Sequence, residues 1–249
     1  MKTDIDLLPI GQTFFNLGII FLISAPLIAI IFLLSSLSIS FFIKGSTLLN
    51  SKWNYPIFLF SGFAILSTFK NTIFSDQSLV SYSELFISLL KWLPILLVFV
   101  GTNPFISSNY QKIIFSRLII ISNMPLLISC FLQKNLAIYG PFSTLNGLII
   151  WFQRPPGETT LSTTGLFNNP NYAGAWLAMI WPFLLTYQSQ KRKDGSKFKF
   201  SIVFGLSVLF ILSISLINSR GAWIGIISSI PLLFGRGVLL WLIPTICFS

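Results

Sequence analysis

From Phe14 to Ile43 the chain runs for 30 residues without a single charged side chain. A stretch of that kind has few possible fates. A helix crossing the hydrocarbon core of a bilayer needs about 20 apolar residues, with a range of about 17–25. The run is therefore one long tilted helix or two shorter ones turning near Ser24–Pro26 or Ser35–Ser36, and both readings stand. The rest of the chain has the same character: 54% of the residues are hydrophobic and only 9% are charged. A soluble domain carries about 25% charged residues because its surface faces water. Lipid is the simplest alternative contact for the excess apolar surface.

Further apolar runs follow at Tyr55–Phe69, Leu85–Gly101 (with Lys91 inside), Leu118–Leu132, Tyr172–Tyr187, Phe200–Asn218, Ala222–Phe234 and Gly237–Ser249. The expected fold is an all-α, polytopic membrane helical bundle with seven to nine transmembrane segments. Its organisation reads as a tail over 1–13, membrane helices over 14–132, a polar outer loop over 133–171 and a second membrane portion over 172–249. Met1–Gln12 holds one Lys and two Asp and no small-residue cleavage site, so a cleaved signal peptide is not expected.

The net charge of +10 does not point to nucleic acid. Nucleic-acid binders gather Lys and Arg on one soluble face, whereas here they sit in short segments between apolar runs. There they act as topology signals, because basic short loops stay in the cytoplasm. Lys191, Arg192, Lys193, Lys197 and Lys199 cluster around a single acid, Asp194. Placing that cluster inside puts Lys44, Lys52, Lys112, Arg117 and Arg236 inside as well. Asp76, Glu84, Glu158, Lys70, Lys134, Arg154 and Arg220 then fall outside. The expected location is the plasma (inner) membrane, crossed several times.

Two stretches carry polar chemistry. The first is LIIWFQRPPGETTLSTTGLFNNPNYAGAWLAMIWP, residues 148–182. Asn169 before Pro170 is an N-cap followed by proline in the first helical turn. The N–H groups exposed at such a helix start attract anions, and Asn168 and Asn171 add side-chain amides suited to sugar hydroxyls or diphosphate oxygens. Ordinary capping accounts for the same residues. Within this loop Leu148–Phe152 is apolar but too short to span, so it is expected to dip into the interface. Trp151 and Trp176 flank it as aromatic-belt residues would.

The second stretch is INSRGAW, with Arg220 between Ser219 and Gly221. A guanidinium fork holds two phosphate oxygens at once, but an Arg beside apolar runs also snorkels to headgroups. Gly221 would let a backbone or ligand approach closely. Lys91, six residues into its run, is accounted for by snorkelling. No Gly-rich phosphate loop, nucleophile elbow or carboxylate cluster is present. There is no His at all, and Cys130 and Cys247 both lie in apolar runs, so neither a metal nor another cofactor is expected. The substrate-binding candidates are Arg220, Arg154, Asn168, Asn169 and Asn171; no catalytic residue is assigned.

GLFNNPNYAGAWLAMIWPFLL, followed across one cytoplasmic loop by INSRGAWIGIISSIPLLF, resembles the O-antigen ligase and polymerase superfamily. The likeness is best over about residues 140–235, and nearest to the cyanobacterial branch described as bicarbonate transporters. The resemblance implies a GT-C-like enzyme at the outer face of the plasma membrane. It would transfer a glycan from a polyprenyl-diphosphate carrier without nucleotide sugar or metal, with Arg220 near the carrier diphosphate. Members of that superfamily continue into further spans and an outer loop with a histidine that activates the acceptor. This chain ends inside an apolar segment and has no His, so the expectation is a truncated or split product, with a second polypeptide as one source of the missing spans. Two other readings stay open: a small-anion transporter of the bicarbonate type, and a non-catalytic relative. Broken helices and midplane polar groups would favour a carrier; the spans here read as apolar through their centres.

Overall fold

The structure is a computed structural model that describes residues 2–74, 87, 89, 93, 96–155, 162–193 and 197–235. Asp76, Glu84, Lys91, Glu158, Asp194, Arg236, Cys247 and the apolar run Gly237–Ser249 lie outside the described residues, as does part of Leu85–Gly101. The described chain is predominantly helical. Its helices are α1 (Lys2–Phe21), α2 (Pro26–Leu49), α3 (Tyr55–Phe74), α4 (Asn109–Ser122), α5 (Met124–Leu136), α6 (Pro170–Lys193), α7 (Lys197–Ile217) and α8 (Arg220–Phe234). Three segments are long and apolar enough to cross a membrane: Pro26–Gly45 in α2, Asn109–Leu136 across α4 and α5, and Phe200–Ile217 in α7. Leu7–Phe21 and Tyr55–Lys70 are shorter apolar helical stretches. Helix α6 reaches the length of a span, but Gln188, Gln190, Lys191, Arg192 and Lys193 make its second half polar.

The faces these helices leave exposed are themselves apolar. Ile31 and Phe42 on α2, Leu59, Phe60, Phe63 and Leu66 on α3, and Ile202 and Phe204 on α7 are all exposed. In water such surfaces would oppose folding, whereas against acyl chains they carry no penalty.

The 30-residue charge-free run is two helices, parted at Leu22–Ala25 just before Pro26. Proline suits the first turn of α2, where its missing N–H is one of the orphan donors. The residues divide into two compact units, one of 1–19 and 28–112 and one of 20–27 and 113–249. In the first unit α1 and α2 approach closely because glycines remove side chains from the seam. A Cβ at Gly18 would lie 2.6 Å from Leu33 Cγ, and one at Gly11 would lie 2.9 Å from both Ile39 and Phe105. Phe15 stacks on Phe105 at 5.4 Å. Helix α4 starts with a capping box: Ser108 N–H donates to Gln111 Oε1 (3.0 Å), and Gln111 N–H donates to Ser108 Oγ (3.1 Å).

In the second unit α6 packs along both α7 and α8, and α5 packs on α7. The run predicted as one span over Leu118–Leu132 is broken at Asn123, where α4 ends and α5 begins. The break has a local cause, since Pro125 in the first turn of α5 has no N–H to donate back to α4. Fully buried Asn123 fills the gap. Its Nδ2 donates to Ile119 O (2.6 Å), and its Oδ1 accepts the Trp176 indole N–H (2.7 Å). Trp176, half-buried, is thus held by a hydrogen bond to Asn123.

Within Leu148–Phe152 the chain forms a strand. Ile149–Trp151 pairs antiparallel with Phe142–Thr144, and these two strands, β1 (Phe142–Thr144) and β2 (Ile149–Trp151), form a small hairpin in the long loop. The Trp151 indole N–H donates to Ser24 O (2.7 Å), tying the hairpin to the break between α1 and α2.

Replacing Trp176 by Phe leaves the Asn123 Oδ1 buried without a donor. The expected cost is about 1–2 kcal/mol, read as a lower thermal midpoint in detergent with unchanged helix content.

Candidate functional site

The polar residues of the second unit gather where α6 and α8 start, α5 and α7 end, and the hairpin returns. Asn169 caps α6: its Oδ1 accepts the Asn171 N–H at 2.8 Å, and its carbonyl accepts from Tyr172 and Ala173. The expected N-cap with Pro170 in the first turn is therefore present, with Asn169 half-buried and Asn168 and Asn171 exposed.

A turn of two residues, Asn218 and Ser219, joins α7 to α8. Asn218 takes φ of +54°, a left-handed conformation that Asn tolerates better than most side chains. This brings the start of α8 against the start of α6. The Ser219 hydroxyl donates to Asn171 Oδ1 at 3.3 Å. A Cβ at Gly174 would stand 2.6 Å from Ser219 Cβ and 3.1 Å from Ala222 Cβ, and one at Gly225 would stand 3.1 Å from Ala178 Cβ. Glycine on one helix facing a small residue on the other lets the two axes come close. Arg220 is the first residue of α8, with its side chain exposed. Gly221 faces open space, so its missing side chain serves no packing contact.

Two helix starts thus lie side by side, both carrying the positive end of a helix dipole. Neither has an acid in its first turn. No Asp or Glu occurs among the described residues of the second unit, so no carboxylate there offsets these termini or Arg220. The arrangement favours an anion, and Arg220, Asn171 and Asn168 are the side chains exposed around it.

Arg154 reaches the same end through a buried network whose residues the sequence did not single out. Gln133, 1% exposed near the end of α5, accepts from the backbone N–H groups of Thr164 (3.1 Å) and Gly165 (2.9 Å). Its Nε2 donates to Thr164 Oγ1 (3.2 Å) and Arg154 O (3.4 Å). Thr164 Oγ1 in turn accepts the Arg154 N–H at 3.0 Å. The neighbouring Thr163 N–H donates to Leu216 O, in the last turn of α7, at 3.0 Å. The chain of bonds from Arg154 through Thr164 and Thr163 therefore ends four residues before Arg220. The guanidinium of Arg154 is exposed.

Gly165 completes the clamp. It has φ of +57°, and a Cβ there would collide with the Leu126 side chain. Gln153 is also buried, with φ of +36°, and its Nε2 donates to Ser129 Oγ at 2.5 Å. Among the described residues no group of three or more His, Cys, Asp or Glu could hold a metal ion.

Gln133→Leu removes the acceptor of two consecutive buried N–H groups. The expected loss is about 2–6 kcal/mol, at roughly 1–3 kcal/mol per orphaned group. Limited proteolysis checks it: cleavage between residues 154 and 168 should become much faster in the variant. Gly174→Val is expected to separate α6 from α8, and a cysteine cross-link placed between those helices should form more slowly in it.

No protein-family model, curated protein or solved structure matches this chain.

Proposed function

We propose that this protein is a multi-pass membrane protein of the O-antigen ligase and polymerase kind, which holds a polyprenyl-diphosphate-linked glycan at the outer face of the plasma membrane. The observation that carries the reading is the pair of adjacent helix starts at Pro170 and Arg220, with no acid in either first turn and an exposed arginine at the second. A diphosphate fits that chemistry on two counts. Its charge complements the two dipole ends, and its oxygens fit the planar fork of Arg220. Asn171 and Asn168 stand beside it with amides that suit the adjoining sugar. Arg154 supplies a second cation at the same end, and the exposed apolar faces of α7 suit the polyprenyl tail. In this reading the protein's residues bind and orient the lipid-linked glycan; transfer itself is assigned to no residue of this chain.

The small-anion carrier gains one observation, the break of a membrane-length segment at Asn123, since carriers bind their substrates at broken helices. The amide of Asn123 is nevertheless already engaged on both of its atoms, by Trp176 and by Ile119. No unused polar group is thereby offered at the break, and the lipid-linked reading is preferred.

Arg220→Lys keeps the charge and loses the fork. Losing one charge-assisted hydrogen bond of about 1.5–3 kcal/mol should weaken binding of a polyprenyl diphosphate by roughly tenfold or more. Titration of purified wild-type and R220K protein in nanodiscs reads this directly. Equal affinities would remove Arg220 from the site, and uptake of bicarbonate by proteoliposomes without lipid diphosphate binding would favour the carrier.

A further inference from the structure

The hairpin of β1 and β2 carries an apolar surface that no packing among the described residues covers. Phe142, Leu145, Leu148, Ile150 and Phe152 are all exposed, at 37% to 62%. Register places Phe142 opposite Trp151 and Ser143 opposite Ile150, so the apolar groups lie on both faces and at the turn rather than along one buried side. A two-stranded hairpin is marginal in water even when one face is covered. This one is fixed at its base: Gly140 N–H donates to Gln153 O (2.9 Å), and Trp151 reaches Ser24. Any side chain at 140 would stand within 2.9 Å of the backbone of Phe142, Trp151 and Phe152, which seats the first strand tightly on the second. Among the described residues its tip has no such partner.

We propose that this hairpin is a membrane-interface anchor, with its tip seated among lipid headgroups beside the helices. Three observations choose lipid over a protein partner. The hairpin continues directly from α5, the end of a membrane-length segment whose last residue, Leu136, is itself 64% exposed. It is tied at Ser24 to the charge-free run Phe14–Ile43. It is flanked by Lys134 and Arg154 and contains no acid from Gln133 to Gly157, which complements anionic headgroups. The depth follows from the backbone. Each strand has one unpaired edge of N–H and C=O groups, and such an edge cannot sit in the hydrocarbon core. The apolar tip and the polar edges are satisfied together only in the headgroup layer, where aromatic residues also concentrate. The inference does not depend on what the helix starts bind.

The test uses full-length protein with Cys130→Ala and Cys247→Ala, carrying one new cysteine, Leu145→Cys or Leu148→Cys, labelled with an environment-sensitive fluorophore. It is reconstituted into phosphatidylethanolamine and phosphatidylglycerol vesicles, and nitroxide lipids bearing the quencher at a shallow or a deep acyl position are added. Leu212→Cys, on the exposed face of α7, gives the reference for a site in contact with acyl chains. At both hairpin positions shallow nitroxide is expected to quench more strongly than deep. No quenching by either lipid overturns the anchor, since the tip then lies in water or against protein. Stronger quenching by the deep nitroxide overturns it too, because the hairpin then sits below the layer its open edges allow.

Discussion

The end of the second unit where α6 and α8 start depends on one buried amide. Gln133 stands near the end of an apolar helix where water cannot reach, and its carbonyl oxygen accepts two successive backbone N–H groups from a segment more than thirty residues away. Its amide nitrogen donates to Thr164 and to the carbonyl of Arg154. Loop backbone at the edge of a bilayer is a liability, because every polar group it buries needs a partner. Gln133 supplies partners for three of them and so lets an irregular segment lie close against α5. Through Thr163 and Leu216 that same segment docks on α7, which positions the turn that starts α8. The adjacency of the two helix starts is thus a downstream consequence of how the loop is held.

Part of this architecture was readable in the sequence. The apolar runs marked α2, α7 and the stretch containing α4 and α5, because hydropathy over twenty residues is a sum that single substitutions hardly disturb. The cap at Asn169–Pro170 was readable because capping is local. The two-helix character of Phe14–Ile43 was not decided, since a proline near the middle of an apolar run permits either a kink or a turn. Asn123 was overlooked because one amide inside a run of fifteen largely apolar residues hardly alters their sum, although Pro125 two positions on marked the break. The hairpin escaped because its first strand is three residues long and pairs with a stretch read on its own as too short to span.

The binding candidates divide in the same way. Asn169, Asn171 and Arg220 came from local motifs, and the structure brings Asn171 to Ser219, next to Arg220. Gln133, Gln153, Ser129 and Thr164 were invisible, because their roles arise only from contacts across 10 to 32 positions. A lone Gln at the end of an apolar run reads as the onset of a loop. What distinguishes it is burial, and burial is not written in the neighbouring residues.

The two-residue turn between α7 and α8 has a consequence for how far Arg220 can move. Asn218 and Ser219 leave no slack between two apolar helices, so α7 and α8 form a helical hairpin whose members stay joined at that end. The same turn is pinned to α6, because the Ser219 hydroxyl donates to Asn171 and a Cβ at Gly174 would meet Ser219 and Ala222. Arg220, the first residue of α8, is carried on this pinned joint. Lengthening the turn would uncouple the start of α8 from the end of α7 and let Arg220 drift away from the start of α6.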